Sequence, residues 1–219
     1  MKIWYAFLMA ALLVVTGTAV ANTKQDAESP YVLLERVANK TAKRISEERS
    51  KINEDLDYLR VIIREELMPY VDATYAAKRV LGRNLKDTTE QQRQEFYSVF
   101  REYLIATYGR AFTQYDEEKH EFQFERARDI APDDRMVEVK TRLIEKDGRP
   151  PVRLDFKLRY DDDEKVWKAY DLVVEGVSLL NSKAAEISSV IRDRGIDGTI
   201  ALLREKGQEP IQPYDQGNS

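Results

Sequence analysis

The stretch VRLDFKLRY, residues 152–160, carries the clearest strand pattern of the chain. Its apolar and polar side chains alternate without a fault, and this period of two predicts a β-strand with one buried face. The same alternation occurs over Val137–Leu143 and at Phe122 and Phe124. A fourth strand is predicted from Val166 to about residue 175.

The predicted strands are joined by short connections. Asp147-Gly148 is a turn signal between the second and third strands, and the charged run 161–165 precedes the fourth. Four consecutive strands connected in this way predict an antiparallel meander.

Before the predicted strands, apolar residues recur at the spacing of an α-helix. Ser29-Pro30 predicts the start of a first helix, because serine caps well and proline suits the first turn. A second helix is predicted over 56–67. Thr89 and Gln92 form a capping-box pattern that begins the longest helix, which is expected to end near Tyr115.

Helical spacing returns after Gly176. One helix is expected to end near Gly195, and a last short helix to end at Gly207. The chain is therefore predicted to be α+β, with helices over 30–117, a curved sheet of about four strands over 121–176, and helices over 178–207. Helices on one face of a curved antiparallel sheet make a cone that can enclose an apolar cavity.

Both ends of the chain carry other signals. Lys2, the apolar run Ile3–Val15 and the small residues up to Ala21 have the layout of a secretory signal peptide over 1–21. We expect cleavage there, with an uncleaved anchor as the alternative, and a single domain over 22–208. Residues 209–219 contain two prolines and several polar residues and are predicted to be a flexible tail.

Composition excludes several functions. The net charge is −4, which does not favour nucleic-acid binding. The chain has no cysteine and a single histidine, His120, so thiol catalysis and multi-histidine metal sites are excluded. The acidic run 161–164 lacks the spacing of a calcium loop and is interpreted as a solvated hairpin tip.

Three carboxylates beside apolar residues remain as candidate general bases: Asp72, Asp155 and Asp171. The alternative is that each is paired with an arginine or caps a helix. An apolar interior without a convincing reactive group favours binding over catalysis.

Several strings match a known family in order and spacing. They are ELMPYVD (66–72), RVLG (79–82), TEQQRQEFYSVFREY (89–103), GRPPVRLDF (148–156), WKAYD (167–171), EGVS (175–178) and RGIDG (194–198). In these segments the chain resembles the MlaC family, also called toluene-tolerance auxiliary proteins.

The resemblance implies a periplasmic protein that binds glycerophospholipids, with the bound lipid as cargo and no other cofactor. It implies transfer between an outer-membrane lipoprotein–porin complex and an inner-membrane ABC transporter with an MCE-domain subunit, which maintains outer-membrane lipid asymmetry. It also implies an NTF2-like sheet joined to a helical subdomain. A monomer is expected.

With that resemblance, acyl chains are expected among the inward residues of the strands and the long helix. The candidates are Phe96, Phe100, Tyr103, Val137, Val139, Leu154, Phe156, Leu158 and Leu180, and the EGVS match adds Val177. About half of them are expected to be ordinary core. Two alternatives stay open: an NTF2-like periplasmic enzyme of the isomerase or dehydratase type acting on a small apolar substrate, and a ligand-free periplasmic adaptor.

Overall fold

The computed structural model describes residues 28–131 and 133–213. The predicted signal peptide and residues 214–219 of the predicted tail lie outside these ranges. The predicted α+β class is confirmed, with an antiparallel sheet packed against helices. None of the helices within the described ranges has the length and apolarity needed to cross a membrane.

The sheet is the predicted meander, with neighbouring strands antiparallel and in sequence order. Its strands are β1 (His120–Phe124), β2 (Met136–Glu145), β3 (Val152–Asp161), β4 (Val166–Val174) and β5 (Val177–Ser178).

The short strand β5 is an addition to the predicted four. Val174 pairs with Val177 across the two-residue loop Glu175-Gly176. Both loop residues have positive φ, +48° and +84°, as the tightest hairpin turns require. Glycine adopts positive φ without strain, so Gly176 favours a tight hairpin turn at this point of the chain.

Strand β4 contains a bulge opposite β3. Lys157 is opposite Asp171 and Leu158 is opposite Ala169, so Tyr170 is an extra residue on β4. A bulge bends its strand and increases the local twist. It therefore contributes curvature at the centre of the sheet.

The first half of the chain is helical, in more pieces than predicted. It contains α1 (Pro30–Glu47), α2 (Arg49–Glu54), α3 (Tyr58–Ile62), a π-helical turn (Ile63–Leu67), a 3₁₀ turn (Met68–Tyr70), α4 (Ala73–Leu81), a 3₁₀ segment (Gly82–Asp87) and α5 (Glu90–Phe112). The predicted second helix is divided near Asp55, whose carboxylate accepts a hydrogen bond from the Asp57 N–H at 2.9 Å. Such a local bond competes with helical pairing.

Helix α5 begins at the predicted capping box. The Thr89 hydroxyl accepts from the Gln92 N–H, and the Gln92 side chain accepts from the Thr89 N–H. After the sheet, α6 (Leu179–Gln208) runs through the predicted end at Gly195. That glycine has φ +70° and ψ 177°, so the two predicted helices are joined across a kink.

Two apolar clusters organise the packing. The helical core lies between α4, α5 and α6 and contains Phe96, Phe100, Leu180, Ile187 and Leu203. The sheet core lies between α1 and the sheet and contains Leu33, Val37, Val139, Leu158 and Trp167.

The beginning of the predicted tail is packed against the helices. Ile211 is 4 % exposed and lies in a cluster with Leu59 and Ile62. Its N–H donates to the Asp57 carboxylate at 3.0 Å, and the Arg60 guanidinium donates to the Gly207 carbonyl at 2.6 Å. These contacts hold the first residues of the predicted tail against the helices, with one buried isoleucine in an otherwise polar segment.

Candidate functional site

The register of the strands defines one apolar face of the sheet, here called the inner face. Residues directly opposite each other in antiparallel strands point to the same side. One row across the sheet is Phe124, Thr141, Leu154, Val174 and Val177. The next rows are Val139, Phe156 and Leu172 on one side and Phe122, Leu143 and Val152 on the other.

Helix α1 covers only one end of the inner face. There, Val139 is 0 % and Leu158 is 1 % exposed, packed against Leu33 and Val37. This end of the face is therefore closed by the sheet core.

The rest of the inner face keeps accessible apolar surface. Leu143, Leu154, Leu172 and Val174 are only half-buried, although each points to the same side as the closed part. None of these four belongs to a cluster of buried residues. An apolar surface left accessible on the concave side of a sheet is suited to binding a hydrocarbon ligand.

Tyr108 of α5 lies deep in the protein. Burial, with a smaller contribution from the Asp171 charge, raises the pKa of its hydroxyl from 10.0 to about 12. The side chain nevertheless keeps some accessible surface and packs beside Leu104 and Phe112. Lys157, which is opposite Asp171, alternates with the inner-face residues Phe156 and Leu158, so the contact between Tyr108 and Asp171 lies on the other face of the sheet.

The residues predicted as lipid contacts divide into three groups. Phe96, Phe100 and Leu180 are buried in the helical core, and Tyr103 packs at its edge under Lys183, whose ammonium is 5.1 Å from the ring centroid. The structure does not bring these four to the inner face. The aromatic stripe of α5 packs against α4 and α6, since three helices bury more apolar surface there than one helix facing a sheet.

The strand candidates lie together on the inner face. Val137, Val139, Phe156 and Leu158 contact the sheet core at its closed end. Leu154 lies on the open part, and Val177, 57 % exposed, lies at the rim of the same row.

Sequence reasoning missed three residues of the open part: Leu143, Leu172 and Val174. The alternation of β2 provided a signal for Leu143. On β4 the bulge at Tyr170 interrupts the alternation, so only the pairing with β3 places Leu172 and Val174 on the inner face.

The three candidate carboxylates are engaged in structural contacts. Asp72 caps α4 through the Tyr75 N–H at 2.8 Å and pairs with Arg159 at 2.5 Å. Asp155 pairs with Arg153 at 3.1 Å. The pairing and capping interpretation is confirmed for both.

Asp171 joins β4 to the start of α6. Its carboxylate accepts from the Ser178 hydroxyl at 2.7 Å and from the Leu180 N–H at 3.0 Å. With these partners Asp171 stabilises the β5–α6 junction, so for this carboxylate too the structure shows the alternative structural role. His120 is likewise occupied, since its Nδ1 accepts from the Asp116 N–H at 3.0 Å. Across residues 28–131 and 133–213, no cluster of metal-ligating side chains occurs.

Comparisons with known proteins agree with this architecture. The model of the family described as "MlaC protein" matches residues 35–205. A Haemophilus influenzae protein named "Intermembrane phospholipid transport system binding protein MlaC" is 34% identical over 213 residues, covering 96% of each chain. A solved structure from Ralstonia solanacearum, described as a phospholipid-binding protein in complex with a phospholipid, has a TM-score of 0.71 and 22% identity. That likeness covers 82% of this chain and 97% of the other and supports the fold.

Proposed function

The chain belongs to the MlaC protein family, and from that premise we propose that it is a periplasmic carrier of glycerophospholipids. Its partners in this proposal are an outer-membrane lipoprotein–porin complex and an inner-membrane ABC transporter with an MCE-domain subunit. The carrier moves lipid between them and so maintains the lipid asymmetry of the outer membrane.

One observation carries the proposal: the accessible apolar row on the inner face. Leu154, Leu172 and Val174 point to the inner face, keep accessible surface and belong to none of the clusters of buried residues in the described ranges. The proposed site for the acyl chains lies along this surface, between the end closed by α1 and the rim at Val177. The headgroup is placed at the rim beside Val177, where the side chain meets solvent.

The energetics of the cargo suit a carrier. Two acyl chains have roughly 30 methylenes, and burying each stabilises the lipid by about 0.8 kcal/mol, so the gross gain relative to water is at most ~24 kcal/mol. A bilayer provides much the same gain, so transfer from membrane to protein is close to neutral. The direction of lipid transport is therefore set by the relative affinities of the partners for the lipid or by ATP hydrolysis in the transporter.

Lipid extraction tests the proposal directly. The protein is purified from the periplasm without detergent, and its organic extract and native mass are measured. A bound species of phospholipid mass is expected. A bound small metabolite would instead support the alternative that the protein is an enzyme. Protein without any bound ligand would support the alternative that it is an adaptor. Either result contradicts the carrier proposal.

A pair of matched valines tests the placement of the site. Val177 is 57 % exposed at the rim of the inner face, and Val32 is 51 % exposed on α1. Val177→Asp is expected to reduce the phospholipid bound per protein, because the added carboxylate would repel the phosphate of a headgroup bound beside it. Val32→Asp serves as the control and should leave the lipid content unchanged, with circular dichroism checking the fold of both variants. Equal lipid content in the two variants contradicts a site at this rim.

A further inference from the structure

A concave groove of about 740 Å³ lies between α4, the 3₁₀ segment Gly82–Asp87 and α5. Ala73, Leu85 and Tyr97 provide its apolar lining, and Lys78, Lys86 and Arg101 bring positive charge to it. None of the inner-face residues lines this groove, so it is separate from the proposed lipid site.

Four cationic side chains line the groove, and three of them, Lys78, Lys86 and Arg101, lack strong partners. Lys78 and Lys86 form no ion pair with any residue in the described ranges, and the Lys78 ammonium lies 5.8 Å from the centroid of the Tyr97 ring. Arg101 is 3.5 Å from Glu102. That glutamate already binds Arg64 at 2.6 Å through its other oxygen.

The acidic residue that lines the groove, Glu90, offsets only one of the four positive charges. Glu90 is engaged by Arg93 at 2.8 Å and by the Gln94 amide at 2.7 Å. Arg93 also donates to the Thr88 carbonyl at 2.6 Å, so it holds the end of the 3₁₀ segment against α5. The groove thus has a surplus of positive charge in a chain whose net charge is −4.

A second surface pocket shows that this surplus is not general. It has a volume of about 510 Å³ and lies beside residues 113–119. Its cations have partners: Lys119 pairs with Asp116 at 2.9 Å, and Arg49 donates to the Tyr115 carbonyl at 2.8 Å.

We propose that the groove between α4 and α5 is a docking site for an acidic segment of a partner protein. The carboxylates of the segment would pair with Lys78, Lys86 and Arg101, and an apolar side chain would contact Tyr97 and Leu85. A recessed surface admits the side chains of such a segment, whereas the headgroups of a flat bilayer would meet only its rim. Complementary charge of this kind increases the association rate and selects the partner.

The test uses a short fluorescent peptide of alternating glutamate and leucine as the probe, with fluorescence anisotropy as the readout. The variant Lys78→Glu/Lys86→Glu/Arg101→Glu should weaken binding by at least about tenfold, since several exposed ion pairs are lost together. Raising the salt concentration should weaken binding to the unaltered protein, because exposed charges are screened.

The control variant changes the net charge equally at other exposed positions: Arg126→Glu/Arg192→Glu/Arg194→Glu. It should bind the peptide like the unaltered protein. Equal loss in both triple variants would mean that net charge, and not the groove, determines binding, and absence of peptide binding to the unaltered protein also overturns the proposal. If the groove variant instead loses binding only to vesicles containing phosphatidylglycerol, the surface recognises membranes and the proposal is wrong.

Two further measurements keep the result interpretable. The single variant Lys86→Glu, at an exposed position, repeats the test if the triple variant fails to fold. The phospholipid extracted from each variant reports on the cargo separately, because the groove lies outside the inner face. Retained lipid with lost peptide binding supports the docking site, whereas lost lipid with retained peptide binding contradicts it.

Discussion

Two leucines on one strand provide a test of whether the inner face borders free space. Leu154 and Leu158 are both on β3 and point to the same side of the sheet, but Leu154 is half-buried and Leu158 is 1 % exposed within the sheet core. Replacing each with tryptophan adds the same volume at two sites that differ in the space around them.

The expected costs differ because overpacking requires a filled surrounding. At Leu158 the indole must displace Val37 and Trp167. Overpacking of this kind typically lowers the free energy of unfolding by about 1–3 kcal/mol. At Leu154 the ring can extend into accessible space, so we expect a change below about 0.5 kcal/mol. For a chain of this size, each kcal/mol lowers Tm by about 2–4 °C, so thermal unfolding separates the two variants.

Lipid content should follow the opposite order. Leu154→Trp is expected to reduce the phospholipid extracted per protein, because the indole occupies space proposed for the acyl chains. Thermal unfolding followed by circular dichroism and lipid extraction are measured on the same preparations. A Leu154→Trp variant destabilised as much as Leu158→Trp would refute the reasoning, since it would mean that the inner face is filled with side chains.

Three further substitutions test the packing around the site. Asp171→Ala should destabilise the fold by about 1–3 kcal/mol in urea unfolding, because it leaves the buried Leu180 N–H without its acceptor. The Lys40 hydrogen bond lowers the pKa of Glu66 below 4.5, so Glu66 stabilises the fold above that pH and this contribution is lost as the pH falls through the folded-state pKa. Glu66→Gln should therefore unfold with a weaker dependence on pH below about 5. Ile211→Ala should lower the free energy of unfolding by about 2 kcal/mol and speed proteolysis of the carboxyl-terminal segment, because it removes the buried anchor.

The variants of Asp171 and Glu66 each have a control. Asp197→Ala removes an exposed carboxylate that accepts from Gln92, and it should change the free energy of unfolding by less than about 0.5 kcal/mol. Glu65 is next to Glu66 but exposed, so Glu65→Gln should keep most of the dependence of the free energy of unfolding on acidic pH. The argument for Asp171 is contradicted if Asp171→Ala leaves the free energy of unfolding unchanged. The argument for Glu66 is contradicted if the stability of Glu66→Gln depends on acidic pH as it does in the unaltered protein. The argument for Ile211 is contradicted if Ile211→Ala is cleaved at the unaltered rate.

The main strands, the long helix α5 and their order along the chain can be predicted from local sequence patterns. The alternation in 152–160, the turn at Asp147-Gly148 and the capping box at Thr89 each act over a few neighbouring residues, so they are visible without tertiary contacts. The family strings likewise span most of the chain, and the family match over 35–205 agrees with them.

Local patterns do not distinguish the apolar residues that form the core from those that border accessible space; long-range packing does. Phe100 and Leu154 are equally apolar in the sequence, but α4 and α6 enclose the first, whereas α1 covers only the far end of the face that carries the second. The bulge at Tyr170 brings Leu172 and Val174 to that face, and the surplus charge at Lys86 depends on which acidic residues already have partners. Burial and charge balance are set by neighbours distant in the chain, and local patterns do not specify those neighbours.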